Sequence, residues 1–269
     1  MYPRINDFFS ENFGLDIPVP LNTFGLMVGV AIYVATMMSQ VEVDRLYAKG
    51  LFNSVRAKVR DKKGREKVEQ TSPSALIWTM ALLAGGFGVV GAKLFHIIDY
   101  WDEFVRDPSM LFANAGLTVY GGILVAAVAI LWYAHKKGIH KARLADAIAP
   151  GLMLAYGIGR IGCYLSGDGD WGVCSSLADK PSWIPAWLWS ETFPRAYVGM
   201  DPVQYNEVVR GEVCAIASPD GVYPTMLYEL AMAAVLAAVL WVARKHPFKA
   251  GWVISLYGVL AGLQRFAIE

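Results

Sequence analysis

The chain has 269 residues, of which 55% are hydrophobic and 17% charged, and its mean hydropathy is +0.38. This composition excludes an ordinary soluble domain of the same size, whereas the formal net charge of +1 excludes little because the charges are segregated along the chain. Residues 1–20 lack the basic start, short apolar core and small-residue cleavage site of a secretory signal peptide, so we expect membrane targeting to come from uncleaved spans.

Six segments are predicted to cross a membrane as helices, because a span needs about 20 mainly apolar residues. In chain order they are 22–40, 75–98, 117–134, 144–166, 224–243 and 250–267. They are rich in Ala, Gly, Leu and Val, which suits closely packed membrane helices. The sequence therefore predicts an all-α polytopic membrane protein, a bundle of about six transmembrane helices.

The loops between these spans differ in charge. The loops after spans one, three and five together carry sixteen Lys and Arg residues, against five in the N-terminal tail and in the segments after spans two and four. By the positive-inside rule, the basic loops are predicted to be cytoplasmic, and the N-terminus to be periplasmic. The basic run 56–67 is interpreted as a topology signal in contact with anionic lipid, and not as a nucleic-acid site.

The segment 167–223 is rich in Pro, Trp and Asp and is predicted to form a small periplasmic head between spans four and five. The predicted division of the chain is therefore 1–166, 167–223 and 224–269. Cys174 and Cys214 both fall in the head, and the sequence is equally compatible with a disulfide between them and with two free thiols. No CxxC or HExxH motif points to a metal site.

Polar side chains inside the spans are predicted to meet at one depth, just below the outer surface. Charged groups in a bilayer are costly and are candidates for function. Counted from the span ends, five spans bring polar groups to this level: Lys93, Tyr120, Arg160, Tyr228 with Glu229, and Arg265. Asp146 is the exception, since it lies near the cytoplasmic end of span four.

The charge at this level favours an anionic ligand. Three cations, Lys93, Arg160 and Arg265, stand against Glu229 and Glu269. Guanidinium groups are always charged and can bind phosphate through two parallel donors, so a phospholipid phosphate is the expected partner. The alternative is that these Arg and Glu side chains only pair with each other to hold the helices together, since Arg265 and Glu269 are four residues apart.

Several stretches also resemble a known family, in the same order and over nearly the whole chain. They are "FGLM" in span one, "GAKLFHIID" in span two, "GLTVYGGIL" in span three, "ADAIAP" followed by "GIGRIGCYLSGDGDWG" in span four, "YPTMLYE" in span five and "QRFAIE" in span six. Together they resemble the motifs of the prolipoprotein diacylglyceryl transferases, which are inner-membrane enzymes of bacteria. The span-four motif is the most specific of them.

The resemblance implies a reaction and its substrates. A transferase of this family moves the diacylglyceryl group of phosphatidylglycerol to the lipobox cysteine thiol of a preprolipoprotein, whose signal peptide still spans the membrane, and glycerol phosphate leaves. No metal, cofactor or nucleic acid is implied. The resemblance also implies a final membrane span after Glu269, so the helix bundle formed by residues 1–269 is expected to lack one helix on one side.

Catalytic roles follow from the positions that match the family motifs. Arg160 matches the arginine of the span-four motif and is expected to hold the lipid phosphate. Arg265 is expected to neutralise the charge that builds on the departing phosphate, and Glu269 to orient Arg265. Tyr120 completes the expected catalytic set as a hydrogen-bond donor to a phosphate or glyceryl oxygen.

A wider set of residues is expected to contact the substrates. Asp168 stands where the family has a glutamate and is expected to order the loop over the site. Tyr228 and Glu229 match a Tyr-Glu motif and are expected to support the arginines from behind. The expected substrate-binding residues are Arg160, Arg265, Phe24, Gly121, Gly122, Cys163, Asp168, Gly172, Tyr228 and Glu229.

Four positions depart from the family pattern. Many members have Tyr in place of Phe24, His in place of Tyr120, Asn in place of Cys163 and Arg in place of Lys93. Tyrosine is a poor base near neutral pH, so we expect the arginine pair and substrate positioning to carry the chemistry. These departures also motivate an alternative, a non-catalytic relative that binds anionic lipid or a lipoprotein precursor.

A third hypothesis is a transporter for a small anion, which the cations inside the spans would suit. Transporters usually place their sites near the midplane of the bilayer, on broken helices. Because the polar side chains are predicted to cluster near one face, the sequence favours the transferase.

Overall fold

The computed structural model describes residues 2, 4–16, 22–60, 66–112, 118–167, 169–193, 221–247 and 249–269. Within these residues lie nine α-helices: α1 (Ile5–Phe13), α2 (Thr23–Ala48), α3 (Ile77–Asp99), α4 (Trp101–Arg106), α5 (Val119–Lys136), α6 (Lys141–Ser166), α7 (Ala186–Trp189), α8 (Thr225–Ala243) and α9 (Trp252–Ile268). They also contain a two-stranded antiparallel sheet, formed by β1 (Val55–Arg60) and β2 (Glu66–Thr71).

The predicted spans are confirmed as helices. Five of the described helices are long and apolar enough to cross a membrane, namely α2, α3 with the 3-10 turn before it, α5, α6 and α8. The sixth predicted span, 250–267, forms α9, which is apolar but has only 17 residues. The chain is therefore a polytopic α-helical membrane protein.

The chain divides into two compact units. The first comprises the described residues within Met1–Ala35, Ala149–Phe248 and Trp252–Glu269, and the second those within Thr36–Ile148 and Lys249–Gly251. The helices α2 and α6 contribute residues to both. These units are defined by which residues pack together. The predicted division into 1–166, 167–223 and 224–269 concerns the position of each segment relative to the membrane, and it stays a prediction.

The core of the first unit forms where α6, α8 and α9 meet. Small side chains let the helices approach closely, because a Cβ on Gly157 would lie 3.0 Å from the Cβ of Ala233. Six buried side chains form this core: Ala149, Met153, Ala233, Ala237, Leu240 and Val253. The arginines and glutamates of the same helices lie beyond it toward the C-terminal end of α6, as described below.

The described part of the predicted head packs on the end of α6. Phe193 is fully buried, and its ring stacks on Trp171 with centroids 4.9 Å apart. The backbones of Glu191 and Val222 pair through two hydrogen bonds of 3.0 and 2.9 Å. Cys174 is disulfide-bonded, while its predicted partner Cys214 lies outside the described residues.

The second unit contains an element that the sequence analysis did not predict. Part of the basic segment after span one forms the hairpin of β1 and β2, with Val55 opposite Thr71 and Arg60 opposite Glu66. Val55 and Ala57 are buried in the core of this unit. The sequence does contain a pattern that predicts β1, because "VRAKVR" alternates apolar and basic residues with the period of a half-buried strand.

The helices α3 and α5 pack against each other through glycines. A Cβ on Gly91 would lie 2.6 Å from the carbonyl oxygen of Gly121, and a Cβ on Gly122 would lie 2.9 Å from that of Gly88. Gly121 and Gly122 are buried in this contact. These glycines therefore bring two backbones together, as small residues commonly do between membrane helices.

We predict that Gly121→Ala destabilises the protein, because the new methyl group would lie 2.7 Å from the Gly91 carbonyl oxygen and would also contact Phe95. Overpacking of this kind costs about 1–3 kcal/mol. The measurement is the thermal unfolding midpoint in detergent. Gly85→Ala is the matched control, since a Cβ there meets no atom within 4 Å. Equal midpoints for the two variants would contradict this account of the contact.

Candidate functional site

A buried carboxylate lies at the centre of a charged cluster in the first unit. Glu229 of α8 has a side chain that is 1% exposed, and it forms ion pairs with Arg160 of α6 and Arg265 of α9. Its Oε2 atom contacts Nε of Arg160, and its Oε1 atom lies 3.8 Å from Nη1 of Arg265. Three helices that are separated in the sequence are thus joined through one acidic side chain.

Further hydrogen bonds fix Glu229 in place. The Tyr156 hydroxyl, one helical turn before Arg160 on the same face of α6, donates to Oε2 of Glu229 at 2.5 Å. The buried Gln264 amide on α9 donates to the Glu229 backbone carbonyl at 3.0 Å. Oε1 of Glu229 accepts no hydrogen bond from the described residues. This buried oxygen is instead compensated by the charge of Arg265, 3.8 Å away.

Arg160 is itself mostly buried, with 11% of its side chain exposed. A buried guanidinium needs a charged partner, and breaking such a pair from one side costs about 3–5 kcal/mol. The Tyr156 ring adds a second favourable contact, with its centroid 5.9 Å from Cζ of Arg160. The sequence and packing of α6 thus position a permanent cation that cannot simply turn away from the site.

A second carboxylate contacts Arg160 from the segment that follows α6. Nη1 of Arg160 pairs with Oδ2 of Asp170, whose side chain is 58% exposed. The Thr225 hydroxyl donates to the Asp170 carbonyl at 3.2 Å, and the Gly172 amide donates to the Tyr223 carbonyl at 2.9 Å. A Cβ on Gly172 would lie 2.8 Å from the Thr225 methyl group, so the close approach of this segment to α8 requires glycine.

The predicted pair on α9 is confirmed. Nε of Arg265 lies 2.7 Å from Oε1 of Glu269, one turn along the helix. Both side chains are exposed, at 58% and 63%. Arg265 therefore faces Glu229 on its buried side and Glu269 on its exposed side.

The predicted surplus of positive charge is wrong for this cluster. Its described members are two guanidiniums and three carboxylates, because Asp170 joins Glu229 and Glu269. The predicted third cation, Lys93, belongs to the second unit. Among the described residues, no group of three or more His, Cys, Asp or Glu side chains could hold a metal ion.

Cys163 lies on α6 near Arg160, and Phe24 of α2 packs against the same stretch of α6. Sγ of Cys163 accepts a weak hydrogen bond from Nη1 of Arg160 at 3.8 Å, and Cys163 is buried. A Cβ on Gly162 would lie 3.2 Å from Cδ2 of Phe24, so the start of α2 packs closely on α6. Both predicted positions are therefore near the charged cluster.

Tyr228 and Asp168 were predicted to support the site from positions around the arginines. The Tyr228 hydroxyl donates to the Leu188 carbonyl of α7 at 2.5 Å and not to Glu229, the acid that holds the arginines. Tyr228 joins α8 to the described part of the head, because residues 228 and 229 point to different sides of the helix. Asp168 lies outside the described residues.

The remaining predicted site residues, Tyr120, Gly121 and Gly122, belong to the second unit, as does Asp146, which was predicted to lie away from the site. Tyr120 opens α5 with 82% of its surface exposed, next to the buried Gly121 and Gly122. Packing against α3 explains these two glycines, and their predicted contact with substrate stays a prediction. Asp146 accepts a hydrogen bond of 2.6 Å from the Gly251 amide, just before α9 begins.

Sequence reasoning missed Tyr156 and Asp170. Tyr156 stands one turn from Arg160 on a span, and a hydroxyl at that spacing is the signal that could have identified it. Asp170 has no comparable signal, because it follows Arg160 by ten residues across the end of a helix. Only the path of the chain after α6 brings it to the guanidinium.

Comparisons with known proteins all point to one family. A model of the family described as prolipoprotein diacylglyceryl transferase matches residues 12–269. The phosphatidylglycerol–prolipoprotein diacylglyceryl transferase of Corynebacterium diphtheriae is 29% identical over 260 residues, which are 94% of this chain and 77% of that protein.

Proteins of the same name from Mycobacteroides abscessus and Frankia alni are 30% identical over 203 residues and 29% identical over 259 residues. The matches cover 72% and 94% of this chain, respectively. In both cases the chain spans 55% of the relative's length.

We predict that Tyr156→Phe lowers the thermal unfolding midpoint in detergent, because it removes the hydroxyl that satisfies a buried carboxylate oxygen. Loss of this hydrogen bond to a buried carboxylate, which then keeps only Arg160 on the same oxygen, costs about 1–3 kcal/mol. The control is Tyr257→Phe in the same unit, where the described residues offer the hydroxyl no hydrogen bond. The shifts of Tyr156→Phe and Glu229→Gln should also be non-additive in the double variant. Additive shifts would mean that the two side chains act independently.

Proposed function

Because the chain belongs to the prolipoprotein diacylglyceryl transferase family, and is thus a transferase, we propose that it transfers the diacylglyceryl group of phosphatidylglycerol to the lipobox cysteine of preprolipoproteins. The observation that carries this proposal is the pairing of Arg160 and Arg265 on the buried Glu229. It holds two permanent cations next to each other at the ends of apolar helices, where a lipid phosphate can reach them.

The proposed reaction replaces one bond with another. The cysteine sulfur attacks the glyceryl carbon that carries the phosphate ester, so a C–S bond forms and the C–O bond to phosphate breaks. Glycerol phosphate leaves with the electron pair. A phosphodiester with one negative charge thereby becomes a monoester whose second pKa is about 6. The thiol proton passes to this monoester below that pH and to solvent at neutral pH.

Catalysis of this step requires positive charge where negative charge develops. We assign Arg160 to the bound phosphodiester and Arg265 to the additional charge on the departing monoester. Their guanidiniums need no proton transfer to stay charged, and each can donate two parallel hydrogen bonds to phosphate oxygens. Both are held from behind by Glu229, so little reorganisation accompanies the reaction.

The exposed carboxylates are proposed to exchange with the lipid phosphate. Asp170 and Glu269 are 58% and 63% exposed, whereas Glu229 is 1% exposed. The Arg265–Glu269 pair is exposed on both sides and contributes only about 0–1 kcal/mol, so Glu269 can move aside for a phosphate. Asp170 pairs with the mostly buried Arg160, and it can move aside because its own carboxylate is exposed to solvent and the phosphate takes its place on the guanidinium. Glu229 remains in place and prevents the two arginines from separating. Glu269 then orients Arg265 between turnovers.

The other predicted residues are proposed to surround the substrates. Tyr120 donates a hydrogen bond to a phosphate or glyceryl oxygen, and Phe24 and Cys163 contact the lipid beside Arg160. Gly121 and Gly122 position Tyr120 through the contact of α5 with α3. Tyr228 and Gly172 hold the head segment over the site, and Asp168 is assigned to the same loop.

We also propose the location and partners of the enzyme. The protein lies in the bacterial inner membrane with its N-terminus and head in the periplasm, as the distribution of basic residues predicts. Phosphatidylglycerol reaches the site from the bilayer, and the preprolipoprotein presents its cysteine from a signal peptide that still spans the membrane. A proposed site near the periplasmic ends of α6 and α9 suits both substrates.

We predict that Arg160→Lys lowers kcat/KM for diacylglyceryl transfer about 100-fold or more, because lysine keeps the charge but loses the two parallel donors. The measurement uses protein reconstituted with phosphatidylglycerol and a lipobox peptide, with the thioether product detected by mass spectrometry. Arg106→Lys, at the exposed end of α4, is the matched control and should retain activity.

Three other results of this assay would be informative. Full activity in Arg160→Ala would remove Arg160 from the proposed mechanism. No product from the unaltered protein, together with retained peptide binding, would favour the non-catalytic binding protein. Loss of peptide binding in Arg160→Lys would mean that Arg160 contacts the peptide and not the phosphate.

We predict that Asp170→Asn lowers KM for phosphatidylglycerol about twofold to fivefold with little change in kcat, because it removes an exposed competitor for Arg160. Asp179→Asn, an exposed acid elsewhere in the head, is the control with the same charge change. The assay is the same reconstituted transfer, with the lipid titrated into a neutral bilayer. A lower kcat in Asp170→Asn would show that Asp170 orients Arg160 for catalysis.

A further inference from the structure

The second unit contains a cavity of about 450 Å³ that is separate from the residues of the charged cluster. Its walls come from the hairpin, from the 3-10 turn Pro73–Leu76 with the first turn of α3, and from the end of α5. Two of the lining side chains are cations, Arg56 on β1 and Lys137 just after α5. None of the described lining residues is acidic. The cavity therefore presents positive charge to whatever enters it.

Both cations are available to a ligand. Among the described residues, no carboxylate forms an ion pair with Arg56 or Lys137. Nζ of Lys137 lies 5.6 Å from the ring centroid of Tyr133, which is also in the cavity wall, so the ring holds this ammonium at the rim. In contrast, Nζ of the neighbouring Lys136 lies only 3.9 Å from the Trp132 ring and is not part of the wall.

The position of the cavity along the membrane-spanning helices is that expected for lipid headgroups. It is bordered by the beginning of one membrane-spanning helix, α3, and by the end of another, α5. Lysines and aromatic rings, here Lys136 with Trp132, are typical of the boundary between hydrocarbon and water. Anionic lipids attract basic residues at this boundary.

We propose that this cavity binds the phosphate group of an anionic phospholipid, between Arg56 and Lys137. The hydroxyl groups of Thr79 and Tyr133 supply neutral donors to the phosphate oxygens, and Leu76 and Val68 offer apolar surface to the glyceryl part. The volume falls within the range of about 300–1,000 Å³ that is common for small-molecule sites. The site does not depend on the proposed transferase reaction.

The hairpin gives this site its specificity. Ala57 is buried in the core of the second unit and fixes the position of β1, so its strand neighbour Arg56 is held at the cavity that both residues line. A basic loop without structure would attract anionic lipid only through its net charge. Because the strand holds one arginine in the same cavity as Lys137, the site is expected to select a single phosphate group.

The test is native mass spectrometry of the protein in detergent, titrated with phosphatidylglycerol and, separately, with phosphatidylcholine. In Arg56→Gln/Lys137→Gln, one phosphatidylglycerol adduct should weaken about 25-fold, and in Lys137→Gln about fivefold, given the strength of one basic residue at an anionic surface. The control Lys49→Gln/Lys67→Gln removes the same charge outside the cavity and should retain every adduct. The unaltered protein should prefer phosphatidylglycerol.

The loss of one adduct is expected whether or not the Arg160 site binds a further lipid. If the double variant does not fold, Lys137→Gln decides alone, since this side chain is exposed beyond the end of α5. Unchanged affinity in Lys137→Gln, or equal affinity for phosphatidylcholine, would overturn the proposal. Displacement of the adduct by inorganic phosphate or glycerol phosphate at equal concentration would overturn the assignment to a lipid.

Discussion

The first unit depends on one buried carboxylate. Glu229 is 1% exposed and carries a charge that the surrounding apolar helices cannot solvate, so cations and donors must come to it. Arg160 and Tyr156 from α6, together with Arg265 and Gln264 from α9, meet this requirement. The constraint works in both directions, because each guanidinium also needs Glu229. The result is a cluster that fixes the approach of three helices and keeps two permanent cations together.

Exposure divides the acids of this cluster into two kinds. Glu229 is enclosed, whereas Asp170 and Glu269 face outward on the same arginines. A buried pair is expensive to break and an exposed pair is not, so the arrangement can exchange its outer anions without losing its geometry. This difference is what allows a cluster with more carboxylates than guanidiniums to serve as a phosphate site in the function we propose.

The two glycines of the span-three motif match a family pattern and also lie in the contact between α5 and α3. Gly121 and Gly122 resemble part of a substrate-binding motif, and the structure accounts for them by the close contact of α5 with α3. Tyr120, which precedes them, remains largely exposed. Helix packing therefore accounts for these two glycines, whereas the role of Tyr120 toward the substrate stays a prediction.

The sequence by itself determined what depends on composition or on neighbours along one helix: the six apolar segments, and the Arg265–Glu269 pair one turn apart. It also identified Arg160 and Glu229 as costly charges within spans. Only the tertiary structure decided that Tyr156 reaches Glu229, 73 residues away, that Asp170 closes on Arg160, and that a basic segment forms a hairpin. The physical reason is that a buried charge requires a partner, whereas the identity of that partner depends on how separate helices and loops pack.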